Sequence, residues 1–519
     1  MPKKQTASTQ WRDAMRRYFD VAEFTAAGEV YDEAVAEGAS TSYEDDLLRA
    51  RILLKHDENR AVAFLIRRPP KGRAASQRGV WALLLGVGYS RMRDFERADD
   101  YFEVARRVLT SPADRAQLAY HVARRAMLEG KTEEAWRLAD EMLCDKSQSS
   151  KIAHEMLRSF ILCNEERYRE SAESLIKAIG FIGKHREQHL EQWFFAVQNL
   201  ALLGRELAFE EAAALARSEV DQPIEWPVDF TAQRCQALDA TAWSCALRGD
   251  MLGCFRYLRS AEHRIPNEAF EVMLLLDRAH FARIVGEPNW ALDEVAKAEK
   301  IAERIDWNVL PGEERLALLQ LARATAPIDA ERGRFYLARY KGLDKIRSPL
   351  LLVAFDHRLE AYATYTEGIV RLAGRGSGAE EAFRSAWVIF DRIGFDWRAA
   401  RTALRLLEVT NKDRWRHLAE DKLEAFPNSW LARDLRNRDA KAAAPVRLPP
   451  MQNKVFTMLC QKMTTAEIAK GLGLSQHTVR NHLKAVFRAY GVNNRAALIA
   501  EAAQRGNFSS SPRERSATD

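Results

Sequence analysis

The chain has 519 residues, 47% of them hydrophobic and 29% charged, with six cysteines and a formal net charge of +6. That balance fits a core-forming protein of several domains and excludes a collagen-like or disordered chain. No apolar run reaches the roughly 18 residues of a membrane helix, and the start, MPKKQTASTQWRDAMRRYFD, has no apolar stretch of the kind a secretory signal needs. Cys144, Cys163, Cys235, Cys245, Cys254 and Cys460 show no CxxC spacing. They are expected to be reduced thiols of a cytoplasmic protein, neither disulfides nor zinc ligands.

The charge is unevenly spread. Between Val446 and Gly506 nine Lys and Arg face only Glu467 and Glu501, a local charge of +7, whereas residues 1–435 carry −3. A small basic module beside a mildly acidic bulk suggests a polyanion at one end and different business at the other.

From the N-terminus to about residue 435, apolar residues recur at i, i+3, i+4 and i+7, which predicts helices throughout. The clearest unit is WALLLGVGYSRMRDFERADDYFEVARRVL, from Trp81. Its Leu85, Gly86 and Tyr89, followed by Ala98, Phe102 and Ala105, resemble the tetratricopeptide (TPR) signature, in which small residues let two helices approach and large ones fill the gaps between hairpins. The second-helix pattern returns at Ala135/Ala139/Met142, Ser171/Leu175/Ala178 and Ala212/Ala216. It continues at Cys254/Leu258/Ala261, Ala291/Val295/Ala298, Gly333/Leu337/Tyr340 and Ala382/Ala386. The intervals are 36 to 49 residues, longer than the roughly 34 of a strict TPR. Two cruder hairpins, from Tyr18 and from Asp45, precede the series, and one follows between Trp397 and Phe426. The expectation is an all-α, TPR-like solenoid of about ten hairpins; the alternative is an irregular all-α domain without superhelical order.

No enzyme signature stands in this region. GxxxxGK[ST] is absent, so nothing cradles nucleotide phosphates. GRGSGAEE at 374–381 lacks the following Lys and the preceding strand and reads as an inter-helix loop. HREQH sets His185 and His189 one helical turn apart, without the Glu placement of a zincin. It reads as a solvated or inter-repeat pair, and no metal and no cofactor are expected. Trp193, Trp243, Trp290 and Trp387 fall in helical register and are expected to pack hairpins.

Residues 436–447, RNRDAKAAAPVR, read as a linker. A separate domain is expected over 448–507, and a disordered tail over 508–519. Four helices are expected after the linker. The first spans about Met451 to Lys462. The second opens with Thr464 and Glu467 as a capping box and ends at Leu472-Gly473. Ser475 caps the third, and Asn494 caps a fourth running through Ala500 to Gly506. On the third helix, Val479, Leu483, Val486 and Tyr490 form one narrow apolar stripe. The opposite arc carries Arg480, Asn481, Lys484, His477 and Arg488. A helix with long donors on one arc fits the major groove of B-DNA, where acceptors line the base edges. Arg480 and Lys484, one turn apart, reach the groove floor, and Asn481 suits bidentate pairing with adenine. Gln476 and Thr478 reach phosphates or bases from the helix start, while Thr464, Thr465 and Lys470 belong to the helix that crosses the backbone.

Glu467-Ile468-Ala469, Leu472-Gly473-Leu474-Ser475, Thr478-Val479-Arg480, His482-Leu483, Gly491-Val492 and Asn494-Arg495 resemble the LuxR-type helix-turn-helix of bacterial transcription regulators. The resemblance covers about 60 residues and says nothing of residues 1–435. It implies that the third helix reads DNA, with Arg480, Asn481 and Lys484 in base-facing positions. It also implies that the fourth helix supports a dimer, for which Ala496, Leu498, Ile499, Ala500 and Ala503 supply the surface. Two departures stand out. Leu448-Pro449-Pro450-Met451-Gln452 replaces the family's L-T-x-R-E opening, and Ala489 replaces a customary Lys. The resulting expectation is a cytoplasmic, non-enzymatic transcription regulator that binds double-stranded DNA as a homodimer. Its repeat domain receives a protein, peptide or small-molecule signal. The alternative is an interaction scaffold whose helix-turn-helix contacts another protein.

Overall fold

Small residues at helix crossings decide how the first 430 residues fold. Gly86 shows why: a Cβ on it would stand 2.6 Å from the Phe102 ring, so the ring sits directly on the neighbouring backbone. Gly368 repeats the arrangement, with the Phe383 ring 2.5 Å from where its Cβ would be. In the computed structural model the described residues are 7–310, 314–343, 354–443, 446, 448–461, 463–490, 492, 494–495, 498–499 and 502. They form α-helices and two short 3-10 turns, with no strand among them. Two compact units divide the chain, Met1–Trp430 and Leu431–Asp519.

The first unit is a series of helix pairs. They are α1 (Ala7–Asp20) with α2 (Phe24–Ala36), α3 (Tyr43–His56) with α4 (Glu58–Ile66), α5 (Ala75–Arg91) with α6 (Phe95–Val108), and α7 (Pro112–Leu128) with α8 (Thr132–Met142). Next come α9 (Gln148–Asn164) with α10 (Tyr168–Ile182), α11 (Leu190–Glu206) with α12 (Glu210–Val220), α13 (Thr231–Leu247) with α14 (Met251–Ala261), and α15 (Glu268–Ile284) with α16 (Pro288–Ala302). The last are α17 (Leu316–Thr325) with α18 (Ala330–Lys341), α19 (Ala354–Ala373) with α20 (Ala379–Arg392), and α21 (Asp396–Thr410) with α22 (Asp413–Leu423). Eleven pairs among the described residues make this the TPR-like solenoid that the repeating pattern predicts. The pattern residues are its core: Ala98, Ala135, Ala139, Ala178, Ala212, Ala261, Ala291, Ala298 and Ala386 are all fully buried. Tyr340, at the last place of its triplet, is only half-buried.

Two details differ from expectation. The sequence starts the first hairpin at Tyr18, but Tyr18 lies in the last turn of α1, which begins at Ala7. The polar start of that helix carries few apolar residues to announce it. His185 and His189 do not share a helix face. They belong to the 3-10 turn Gly183–Gln188 and its C-cap, where His185 has φ −103° and His189 φ −135°, so the spacing loses its helical meaning.

The stack also touches itself across long sequence separations. Near the N-terminus, Thr25 donates its backbone N–H (2.9 Å) and its hydroxyl (2.6 Å) to the Asp229 carboxylate, and the Phe24 and Phe230 rings meet with centroids 6.1 Å apart. Further on, α21 packs on α11 and α13. The Arg398 guanidinium forks onto Glu206, Tyr168 meets Phe395 at 5.1 Å, and Trp243 stacks on Trp397 at 5.4 Å. Glu166, in the α9–α10 turn, accepts from Arg392 and bonds His357.

Helix α23 (Trp430–Ala443) runs through much of the segment read as a linker. Arg, Ala and Lys are good helix formers, and no proline interrupts them before Pro445. The second unit then presents α24 (Pro450–Cys460), α25 (Thr465–Leu472) and α26 (Gln476–Tyr490).

Candidate nucleic-acid interface

The basic domain is built around the apolar stripe of α26. Val479, Leu483, Val486 and Tyr490 are buried against Val455, Phe456 and Leu459 of α24 and Ile468 and Ala469 of α25, with Leu498 and Ala502 closing the far side. Tyr490 stacks on Phe456, centroids 5.2 Å apart. Burying one stripe fixes the rotation of α26, and the opposite arc is then forced outward.

Local bonds hold the helix-turn-helix angle. The Thr464 hydroxyl accepts from the Glu467 N–H at 3.3 Å, and the Glu467 carboxylate accepts from the Thr464 N–H at 2.7 Å, the expected capping box. The Thr464 N–H and then its hydroxyl hold the Glu467 carboxyl below its ordinary range. Gly473 ends α25 with φ +64°, a left-handed backbone that suits glycine. Ser475 Oγ accepts from the Thr478 N–H at 3.0 Å and starts α26. Each such cap contributes roughly 0.5–2 kcal/mol.

The outward arc holds Gln476, His477, Arg480, Asn481, Lys484 and Arg488, all exposed. Among the described residues none of these side chains makes a hydrogen bond or ion pair. Some exposed arginines elsewhere are committed, Arg106 and Arg107 to Glu103 and Arg167 to Glu165 and Glu170, while others such as Arg78 and Arg115 are not. Donors left uncommitted together on one arc are available to an external acceptor. Lys470 on α25 is likewise exposed and unpaired. Thr464 and Thr478 are half spent, because their hydroxyls already bond Glu467 and Ser475. Thr465 is half-buried at the first position of α25.

Of the five residues assigned to pairing, Leu498 needs correction. It is fully buried in the domain's own core and offers nothing to a partner. Ile499 is half-buried, and Ala496, Ala500 and Ala503 lie outside the described residues.

One residue has a role its sequence position conceals. Arg495 donates to the carbonyl oxygens of Leu459 at 2.6 Å and Met463 at 3.2 Å. It thereby satisfies acceptors left over at the end of α24, where a cation is favoured. Its charge is spent inside the domain and is not part of the outward arc.

These elements define a helix-turn-helix domain of regulatory type. The model of the family "Bacterial regulatory proteins, luxR family" matches residues 447–502. The spore germination protein GerE of Bacillus subtilis (strain 168) is 37% identical over 61 residues, which is 12% of this chain and 82% of that protein. Through this domain the chain belongs to the luxR family of bacterial regulatory proteins. Solved structures similar over the greater part of the chain share 12–13% identity with it. The APC/C hetero-tetramer Cut9–Hcn1 covers 96% of each chain with TM-score 0.29. The P58(IPK) TPR domain covers 80% of this chain and 98% of its own, with TM-score 0.23. Naa15/Naa10 bound to HypK-THB covers 96% and 86%, with TM-score 0.22. No helix among the described residues is long and apolar enough to cross a membrane.

Proposed function

We propose that the protein is a DNA-binding transcription regulator of the bacterial cytoplasm, working without catalysis, whose helical-repeat domain receives the signal. The carrying observation is α26: a buried apolar stripe fixes its rotation, and six uncommitted polar and basic side chains stand on the opposite arc. That geometry suits insertion into the major groove, with Arg480, Asn481 and Lys484 over base edges and Lys470 on the phosphate backbone. Met451, Gln452 and Ala489 supply no charge where the family resemblance implies it, so non-specific affinity is reduced. Fragments selected by the full-length protein from genomic DNA give the test. Arg480→Ala and Lys484→Ala should each cost roughly 1–3 kcal/mol on a selected site, and Lys470→Ala should weaken selected and random DNA alike. Parental binding by both of the first two variants would remove α26 from the recognition role.

The same reading includes pairing on DNA. One recognition helix touches few base pairs, and two copies on a two-fold axis double the contacts. The selected sites should be near-palindromes with half-sites about one helical turn apart. Ile499, with Ala496, Ala500 and Ala503, is the proposed contact. Ala500→Glu should leave circular dichroism unchanged and abolish the preference for a full palindrome over a half-site; an unchanged preference would move pairing elsewhere.

A further inference from the structure

Inside the repeat domain most deep arginines are matched to acids. Arg398 and Arg205 share Glu206, and Arg205 also approaches Asp239 at 3.5 Å. Arg323 of α17 and Arg401 of α21 are not matched. Arg323 donates to Thr366 Oγ1 at 3.0 Å, and Arg401 lies 5.5 Å from the Tyr365 ring centroid. Neither meets a carboxylate among the described residues. Thr366 and Tyr365 are neighbours on α19, and the Arg401 charge acts on Arg323, so the two guanidinium groups belong to one region of the domain. Arg405, one turn beyond Arg401, pairs with Glu408 at 2.7 Å.

Arg323, Arg401, Arg405 and His280 are each half-buried. Three groups register a positive potential there. Burial and then Arg401, Arg283, Arg323 and Arg405 push the His280 imidazole well below its ordinary value. Burial, Arg401 and Arg398 lower the Arg323 guanidinium to about 10. Burial alone would raise the Tyr365 phenol, but Arg401, Arg405 and Arg323 draw it down instead. The nearest acids do not compensate. Asp239 and Asp277 face each other, and burial raises both carboxyls, Asp277 most strongly. Beside this cluster the Tyr365 hydroxyl, His280 Nε2 and Gln320 Oε1 are buried without a hydrogen-bond partner.

An unmatched guanidinium in a low-dielectric interior is costly, and an oxyanion with two acceptor oxygens relieves that cost through charge-assisted bonds. We propose that the repeat domain binds a small doubly charged oxyanion between Arg323 and Arg401, with the Tyr365 hydroxyl and His280 as neutral partners. A phosphate group and a pair of carboxylates share this chemistry. The site gives chemical content to the signal in the reading above and rests on that reading only for its regulatory meaning.

The test uses the full chain at constant ionic strength, with chloride as the reference anion. Isothermal calorimetry and thermal melting are followed with inorganic phosphate, glycerol 3-phosphate and succinate. Saturable single-site heat and a raised melting midpoint are expected from the phosphates, which assigns a phosphate ligand, or from succinate, which assigns a dicarboxylate. Arg323→Gln and Arg401→Gln should each weaken that binding roughly ten- to a hundredfold. Without added anion they should melt no lower than the parent, since each removes an unmatched buried cation. Arg137→Gln, at an exposed arginine paired with Glu141, should change nothing. No saturable binding of any of the three anions overturns the proposal. So do Arg323→Gln and Arg401→Gln variants that melt below the parent and bind undiminished, because the arginines would then be structural. Binding is read without DNA. Anion binding that leaves operator affinity unchanged would therefore remove the signalling role and keep the site.

Discussion

Arg495 shows how a basic residue can be spent on architecture. Its two bonds to Leu459 and Met463 tie the chain at Arg495 to the end of α24 and the residues just after it. Arg495→Met keeps most of the aliphatic stem and removes the donors, so it should destabilise the basic domain by roughly 1.5–3 kcal/mol. The salt dependence of DNA binding, read at a temperature where the variant is folded, should match the parent. A shallower salt slope would mean that Arg495 also touches phosphate. Nothing in the sequence separates Arg495 from Arg480, because its acceptors lie 32 and 36 residues away. Arg480, Asn481 and Lys484 are legible because one helical period settles which arc they share with one another and which with Val479 and Leu483. Whether Leu498 or Ile499 closes the domain's own core stays open in the sequence, because a stripe of small and apolar residues looks the same whether it faces a partner or its own core; Leu498 is the one buried there.

Helices and their pairing are the readable part. The buried Ala–Phe–Ala pattern of α6, with Gly86 on α5, is a local code, and the spacing of small residues carries it through the degenerate repeats. Packing between distant pairs has no such code. The contact of α21 on α11 turns on Glu206, 2% exposed in its side chain, between Arg398 and Arg205. Burial alone would raise its carboxyl, but the two arginines hold it down to about 2. A depressed pKa contributes stability that is present above the unfolded value, near 4.5. That stability is lost progressively as pH falls from there through about 2. Near-ultraviolet circular dichroism of the Trp243–Trp397 stack should therefore persist at pH 4. Glu206→Gln should cost about 3–5 kcal/mol because it strands buried guanidinium groups, whereas Glu206→Met with Arg398→Met should cost less than the single change. A double variant worse than the single would show that the pair stabilises outright.

At the scale of the whole molecule the charge division and the two compact units tell one story. The positive module and the mildly acidic bulk have separate cores, and the boundary between the units, after Trp430, falls ahead of the basic stretch that begins at Val446. Open repeat arrays unfold piecemeal, since each repeat meets only its neighbours. Here Thr25 bonds Asp229 and Arg398 bonds Glu206, 204 and 192 residues apart. The repeat unit should therefore melt in one transition and the basic domain in another. Scanning calorimetry of the full chain should resolve two cooperative peaks; a ladder of small transitions in the repeat unit would mean that these cross-contacts carry little.

The seating of Phe24 on Phe230 has a consequence for the order of events during synthesis. A ribosome adds about 5–20 residues per second, so roughly 10 to 40 seconds pass between the emergence of the first ring and the arrival of the second. Throughout that interval α2 is paired with its neighbours on one side and bare on the other. The nascent chain must keep this apolar edge from the wrong partner until the far segment leaves the exit tunnel, and a slower stretch of translation before residue 230 would lengthen the exposure.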